Sequence, residues 1–369
     1  MDNFLLDDLM AGSWDYPSFI QPVTLPEITT AGVDVSVLRL DTLHPVVSGN
    51  KWFKLKGHLQ TAFHIASASS PSPQLNSSPS SQLNASPSPQ LSPPPSPLPG
   101  SPPASLLTFG GAWSNHIIAT AYAAQSAAIP SIGVIRGERP PILSATLEAA
   151  ISCGMHLEFI SRQQYAEKDS PASLREWADR YPGVYIIPEG GAGLPGIRGS
   201  EQILRAIDTT PYSHILCAVG TGTMFMGLAA AAAPGQEIIG IPVLKGINDL
   251  SALFPNGLPA LFANKSSSAL PNGLPAQPPD KLSLAPRLRI LPHWHFGGYA
   301  RLSQELLDFM NRFHRDTGIP SDFVYTGKLF YAVMDMIRQH LFPRGSRLLV
   351  IHSGGLQGNR SLSPGVLNF

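Results

Sequence analysis

The 369-residue chain is short of charge: Asp, Glu, Lys and Arg make up 14% of it. Lys plus Arg and Asp plus Glu both count 25, so the formal charge is zero. That balance leaves no broad basic field for nucleic acid or an anionic membrane. Cysteine is scarce too. Cys153 and Cys217 stand alone, far apart and without metal-ligand spacing. They read as two buried thiols in a reducing compartment, and no metal site is expected. The first residues, MDNFLLDDLMAGSW, lack the basic stretch of a signal or transit peptide. No apolar run is long enough to span a bilayer; the longest candidate lies around Met224–Ala233. A cytoplasmic protein is the expectation.

Proline is abundant instead, at 37 residues. Much of it falls at 71–102, where an eight-residue pattern of Ser, Pro, Gln and Leu repeats as PSPQLNSS, PSSQLNAS, PSPQLSPP. With almost no aromatic or β-branched residues, this stretch cannot offset the entropy of ordering, and it reads as a disordered insertion. A second insertion is expected at 254–286, where PNGLPA occurs at 255–260 and again at 271–276. Neither is expected to carry chemistry.

Elsewhere, short apolar runs alternate with helical stretches. Strands are expected at Ser105–Phe109, Ser131–Ile135, His156–Ile160, Val184–Ile187, His214–Val219, Glu237–Pro242 and Arg347–Ile351. Helices are expected at Asn115–Ala128, Ala145–Cys153, Pro171–Arg180, Gly199–Ile207, Thr223–Ala232, Ser303–Thr317 and Gly327–His340. The alternation predicts an α/β fold with mainly parallel sheets, whose ligands gather at the carboxyl ends of the strands.

Four segments at such ends carry chemistry. After the strand ending at Val219 comes Gly220-Thr221-Gly222-Thr223 and then a helix. Glycines, threonine hydroxyls and a helix N-terminus can surround a phosphate there. A tight turn with no ligand would look the same. Gly110-Gly111-Ala112-Trp113-Ser114-Asn115-His116 follows a second strand, and Ser114 or Asn115 can cap the next helix. Ser48-Gly49-Asn50-Lys51-Trp52-Phe53-Lys54 sets a lysine between a turn and two aromatics. A lysine desolvated in this way has a lowered pKa and forms imines. Ile351-His352-Ser353-Gly354-Gly355 ends a further strand.

Together, SGNKWFKL at 48–55, FGGAWSNH at 109–116, PEGG at 188–191, GTGT at 220–223, VYTGK at 324–328 and IHSGG at 351–355 give the resemblance. The chain resembles the 1-aminocyclopropane-1-carboxylate deaminase / D-cysteine desulfhydrase family of fold-type II pyridoxal-phosphate enzymes, relatives of the tryptophan synthase β chain. The resemblance covers nearly the whole chain outside the two insertions. It implies two three-layer α/β domains: a larger, cofactor-binding one from 1–53 and 188–369, and a smaller one from 54–187. It also implies pyridoxal 5'-phosphate as cofactor, a small amino acid as substrate and a possible homodimer, with neither nucleic acid nor membrane as partner.

By position, Lys51 matches the lysine that carries the cofactor as a Schiff base and moves protons at the substrate Cα. Asn115 matches the residue bonded to the cofactor's ring hydroxyl. Ser114 matches the serine near the substrate carboxylate or the scissile group. Gly220, Thr221, Gly222 and Thr223 match the phosphate loop. Lys54 resembles a lysine near the phosphate, or is a surface residue. Ser353 matches the hydroxyl facing the pyridine nitrogen. A neutral serine there favours β-elimination, from a D-cysteine-like substrate to a keto acid and ammonia.

The chain departs from the cyclopropane deaminases at His295-Phe296-Gly297-Gly298-Tyr299, where Phe296 takes the expected tyrosine's place. Phenylalanine cannot act as an acid, which speaks against ring opening. Phe296, Tyr299, Trp113 and His116 are candidates to line the substrate site. Tyr325 reads as structural. Four alternatives stay open: 1-aminocyclopropane-1-carboxylate deamination, β-replacement on the same fold, a pyridoxal-phosphate binder without turnover, and a binder of some other phosphorylated ligand.

Overall fold

The computed structural model describes residues 20–68, 103–253 and 286–369. The 71–102 insertion lies outside these ranges, as does 254–286 apart from its last residue. Two sheets organise the fold. The larger has six strands in the order β1 (Ile20–Val23), β2 (Asp34–Arg39), β10 (Arg347–His352), β7 (His214–Val219), β8 (Glu237–Pro242) and β9 (Arg287–Ile290). Only β1 runs antiparallel, against β2. The smaller sheet is wholly parallel, in the order β5 (Met155–Ile160), β4 (Ser131–Arg136), β3 (Ser105–Gly110) and β6 (Val184–Ile187).

Central strands are buried along nearly their full length, as helices on both faces require: β3 throughout, β7 from Ile215 to Val219. One core cluster, with Leu38, Ile215 and Phe225, covers one face of the larger sheet. Another, with Val37, Leu216 and Phe330, covers the opposite face. Alternate residues of β2 and β7 therefore serve opposite cores. The smaller sheet has its own pair of apolar clusters, around Ile117 and Leu147 and around Phe109 and Trp177.

The helix Asn50–Ala68 was not anticipated, and the expected boundary between residues 53 and 54 falls within it. It packs on the helix Leu194–Arg205 with backbones nearly touching. A Cβ on Gly57 would stand 2.0 Å from Pro195 O, and one on Gly199 would stand 2.0 Å from Phe53 O. β1, β2 and β9 were also not anticipated. Cys217 is buried in β7 as expected, but Cys153 is only half-buried, because it caps the end of a surface helix. No helix among the described residues is long and apolar enough to cross a membrane.

Candidate active site

Strand order assembles the site. In the larger sheet the last strand, β10, lies between β2 and β7, so the carboxyl ends of β10 and β7 stand side by side, where ligands of such sheets gather. Gly220–Thr223 leaves β7 there, and Ser353-Gly354 leaves β10. In the smaller sheet β3 lies between β4 and β6, so Gly111–Asn115, Arg136 and Glu189 emerge side by side. The two sets of ends face a cavity of about 520 Å³. Lys51, Lys54, Trp113, Ser114, Asn115, His116, Gly220, Thr221 and Gly222 all line it.

Lys51 is the second residue of the Asn50–Ala68 helix. The turn before it lies on the end of β10. Gly49 has φ +64°, and a Cβ there would fall 1.9 Å from Ser353 O. Asn50 N donates to the same carbonyl at 3.1 Å. Lys51 Nζ donates to Asn50 Oδ1 at 2.9 Å. Burial pulls the Lys51 amine down to about 8, with the Asp322 carboxylate acting the other way. One helical turn on, Lys54 is buried and donates to Gly190 O at 3.2 Å. Burial, then the neighbouring Lys51 charge, holds it well below the ordinary lysine range. This rules out a surface role for Lys54.

Ser114 is the N-cap of the helix Asn115–Ser126, accepting from His116 N at 3.2 Å and Ile117 N at 3.4 Å. Asn115 donates from Nδ2 to Gly355 O at 3.2 Å, while its buried Oδ1 has no hydrogen-bond partner among the described residues. His116 is buried, and its Nε2 lies 2.8 Å from Thr108 Oγ1. Because that hydroxyl donates to Ile187 O, it accepts from the histidine, which fixes the Nε2–H tautomer. His116 Nδ1 is then a buried acceptor without a hydrogen-bond partner among the described residues. Burial first, then the nearby lysine and histidine charges, keeps the ring neutral.

Gly222 takes φ +76°, turning the backbone of Gly220–Thr223 into the next helix, and the Thr221 and Thr223 hydroxyls lie 2.9 Å apart. Thr223 itself is buried. Ser353 faces a smaller pocket shared with Lys51, Asn115 and Tyr325. The buried acceptors, the turn aimed at the cavity and the depressed lysine together suit pyridoxal phosphate.

One expected residue is elsewhere. Phe296 lies outside the cavity, packed edge-on against Tyr331 at 4.9 Å between ring centroids. The left-handed backbone from Phe296 through Gly298 turns it toward the core and leaves Tyr299 at the cavity wall, 51% exposed. Tyr325, read above as structural, also lines the cavity, with its ring 6.0 Å from that of Tyr299.

Two further residues place this phenol pair. Asp322 is buried, and its carboxylate accepts from Val324 N, Tyr325 N, Thr326 N and Thr326 Oγ1 at 2.6–2.9 Å. It thereby shapes the turn that presents Tyr325. Lys328, also buried, donates to His295 O at 3.0 Å and Gly298 O at 2.7 Å, holding the loop that carries Tyr299. Sequence reasoning passed over Asp322, Lys328, Arg136 and Glu189. The VYTGK motif contained Lys328, and Arg136 stood at a strand end, but neither signal says what the side chain meets.

Comparison with known proteins bears on the family and the fold. The profile of the family described as "Pyridoxal-phosphate dependent enzyme" matches residues 103–354. A Pyrococcus horikoshii protein, named as a candidate 1-aminocyclopropane-1-carboxylate deaminase, is 27% identical over 260 residues, covering 69% of this chain and 74% of its own. An Arabidopsis thaliana mitochondrial protein, named as a bifunctional D-cysteine desulfhydrase/1-aminocyclopropane-1-carboxylate deaminase, is 26% identical over 277 residues, covering 69% and 64%. Among solved structures, one described as an ACC deaminase homologue superposes with a TM-score of 0.64 at 22% identity, covering 93% of this chain and 91% of the other. The profile spans more than half of the sequence, and on that ground the chain belongs to the pyridoxal-phosphate dependent enzymes.

Proposed function

We propose that the protein is a lyase that removes the β-substituent and the amino group of a small amino acid, D-cysteine among them, leaving a keto acid and ammonia. The observation that carries this reading is the convergence of Lys51, Asn115 and the Gly220–Thr223 turn on one cavity. When bound, pyridoxal phosphate supplies the electron sink that makes the substrate Cα–H acidic. The chain supplies the rest. Lys51, drawn toward neutrality, takes the proton from Cα. Gly220, Thr221, Gly222 and Thr223, with Lys54, hold the phosphate, while Asn115 meets the ring hydroxyl. Ser353 offers the ring nitrogen a neutral hydrogen bond, and Ser114 binds the substrate carboxylate.

A second reading is favoured by one observation: Tyr299 and Tyr325 both line the cavity. The absence of a phenol at position 296 therefore no longer opposes opening of the cyclopropane amino acid. Release of keto acid from D-cysteine, L-cysteine, D-serine and the cyclopropane amino acid distinguishes the two. If none of the four is consumed by a yellow, cofactor-loaded protein, both readings fail. Our proposal also includes a cytoplasmic location, supported by the free thiols of Cys153 and Cys217, a homodimer, tested by light scattering, and the division into 1–53 with 188–369 and 54–187.

A further inference from the structure

The cavity wall carries one charge for which the reaction above has no use. Arg136 ends β4. Register places Ile135 opposite Gly110 of β3, so Arg136 stands beside Gly111, at the root of the loop that delivers Ser114 and Asn115. The space in front of it is open: a Cβ added to Gly111 or to Gly137 would meet nothing within 4 Å.

Its charge has no counterpart among the described residues. The carboxylate that shares the cavity wall, Glu189, is engaged by Lys168 at 3.3 Å, and no ion pair joins Glu189 or any other acid to Arg136. The other basic groups of the cavity, Lys51, Lys54 and His116, are all drawn toward neutrality by burial. A guanidinium stays charged at any ordinary pH. Arg136 is thus the permanent positive charge of this cavity. Tyr299, which lines the same cavity, is within its electrostatic reach. Burial raises the Tyr299 pKa, while its hydrogen bond with Tyr325 and the Arg136 charge pull it back.

We propose that Arg136 determines specificity by binding an anionic terminus on the substrate side chain, so that the enzyme prefers β-substituted amino acids ending in a carboxylate or phosphate. The inference rests on the lyase reading. An unpaired guanidinium at an open, ligand-collecting strand end makes charge-assisted, bidentate bonds to such a group. In the lyase reading the substrate α-carboxylate has its own place, at Ser114, which lines the same cavity as Lys51. With O-phosphoserine the reaction balances without a further reactant. Lys51 takes the Cα proton, and the Cβ–O bond breaks with its electron pair leaving on phosphate. Water then releases ammonia, so that O-phosphoserine and water give pyruvate, ammonia and phosphate.

The test compares wild-type holoenzyme with Arg136→Gln on the D and L forms of O-phosphoserine and cysteine, following pyruvate. The expected result is a fall of about ten- to a hundredfold in the ratio of kcat/KM for O-phosphoserine over cysteine, carried by KM. An unchanged ratio overturns the proposal, whether both substrates suffer alike, as α-carboxylate binding by Arg136 would cause, or neither does. Calorimetric binding of aspartate against alanine gives a readout free of turnover. Preferential aspartate binding that Arg136→Gln abolishes supports the anion site even if no pyruvate forms, in which case the lyase reading alone falls. Equal binding of aspartate and alanine to wild-type protein sinks the anion site itself.

Discussion

The floor and the rim of the cavity are built on different terms. On the floor, Lys51, Lys54, Asn115 and His116 come from helix starts locked by backbone contacts, as at Gly199, whose added Cβ would lie 2.0 Å from Phe53 O. Burial there disfavours charge, so that Lys51 falls to about 8. On the rim, Arg136 and Tyr299 are exposed, and no ion pair among the described residues engages Arg136. A dry, fixed floor suits chemistry common to many substrates. A wetter rim with a free charge suits choosing among them. The polar atoms left without partners on the floor are also those that a cofactor would satisfy, and leaving them bare costs about 1–3 kcal/mol each.

The largest expected effect breaks the floor outright. Lys51→Ala should lower keto-acid release by at least about a thousandfold, since general-base contributions reach that size. The yellow colour of bound cofactor should vanish while circular dichroism stays native. A variant that remains yellow, and is reduced by borohydride onto another lysine, would remove Lys51 from its assigned role.

Next comes the helix contact beneath the floor. Gly199→Ala forces a methyl against the Phe53 carbonyl, and it should cost about 1–3 kcal/mol in denaturant unfolding together with weaker cofactor retention. Unchanged stability would mean that the helix carrying Lys51 is not rigidly seated.

At the rim, Lys328→Met removes the ammonium that holds the Tyr299 loop. We expect kcat/KM to drop about tenfold with the cofactor colour retained. Combined with Tyr299→Phe, the two losses should be less than additive. Full additivity would show that Lys328 does not act through Tyr299.

The smallest effect is one of pH. Only a neutral amine attacks an aldehyde, so cofactor capture by apo-protein should speed up severalfold as pH rises through about 8. Stability has the same sign. Lys51 is depressed in the fold from 10.5 to about 8, so the unfolded chain binds more protons between those values. Unfolding free energy should therefore rise with pH across that window. A capture rate that keeps rising about tenfold per pH unit from about 7 to 9 without levelling, as an amine of ordinary lysine pKa gives, would place the Lys51 amine outside its buried floor.

Much of this was legible in order along the chain. Buried parallel strands announce themselves as short apolar runs, and all seven that were expected are present, with ends within a residue or so. The Gly-Thr turn and the Ser114 cap were legible because backbone geometry demands those residues there. β2 was passed over although Val33, Val35 and Val37 alternate, because it lies within a less uniformly apolar stretch; β9 is short and follows the second insertion. The helix from Asn50 was masked by the Ser48-Gly49 turn signal just before it. Lys54 looked equally fit for the surface, since only the packing of the helix on Leu194–Arg205 buries it.

The sequence by itself determined the α/β class and, through the combined order of its motifs, a resemblance that gave the family and the cofactor and implies Lys51 as the cofactor's carrier. The class follows from local demands: apolar runs for strands and glycines for turns. Only the tertiary structure decided that Phe296 packs on Tyr331 while Tyr299 and Tyr325 face the cavity, and that Arg136 stands there with no ion pair among the described residues. Those outcomes depend on which loops meet across the crevice between two sheets. Residues far apart in the chain fix that meeting, through backbone contacts and buried hydrogen bonds that no local pattern records.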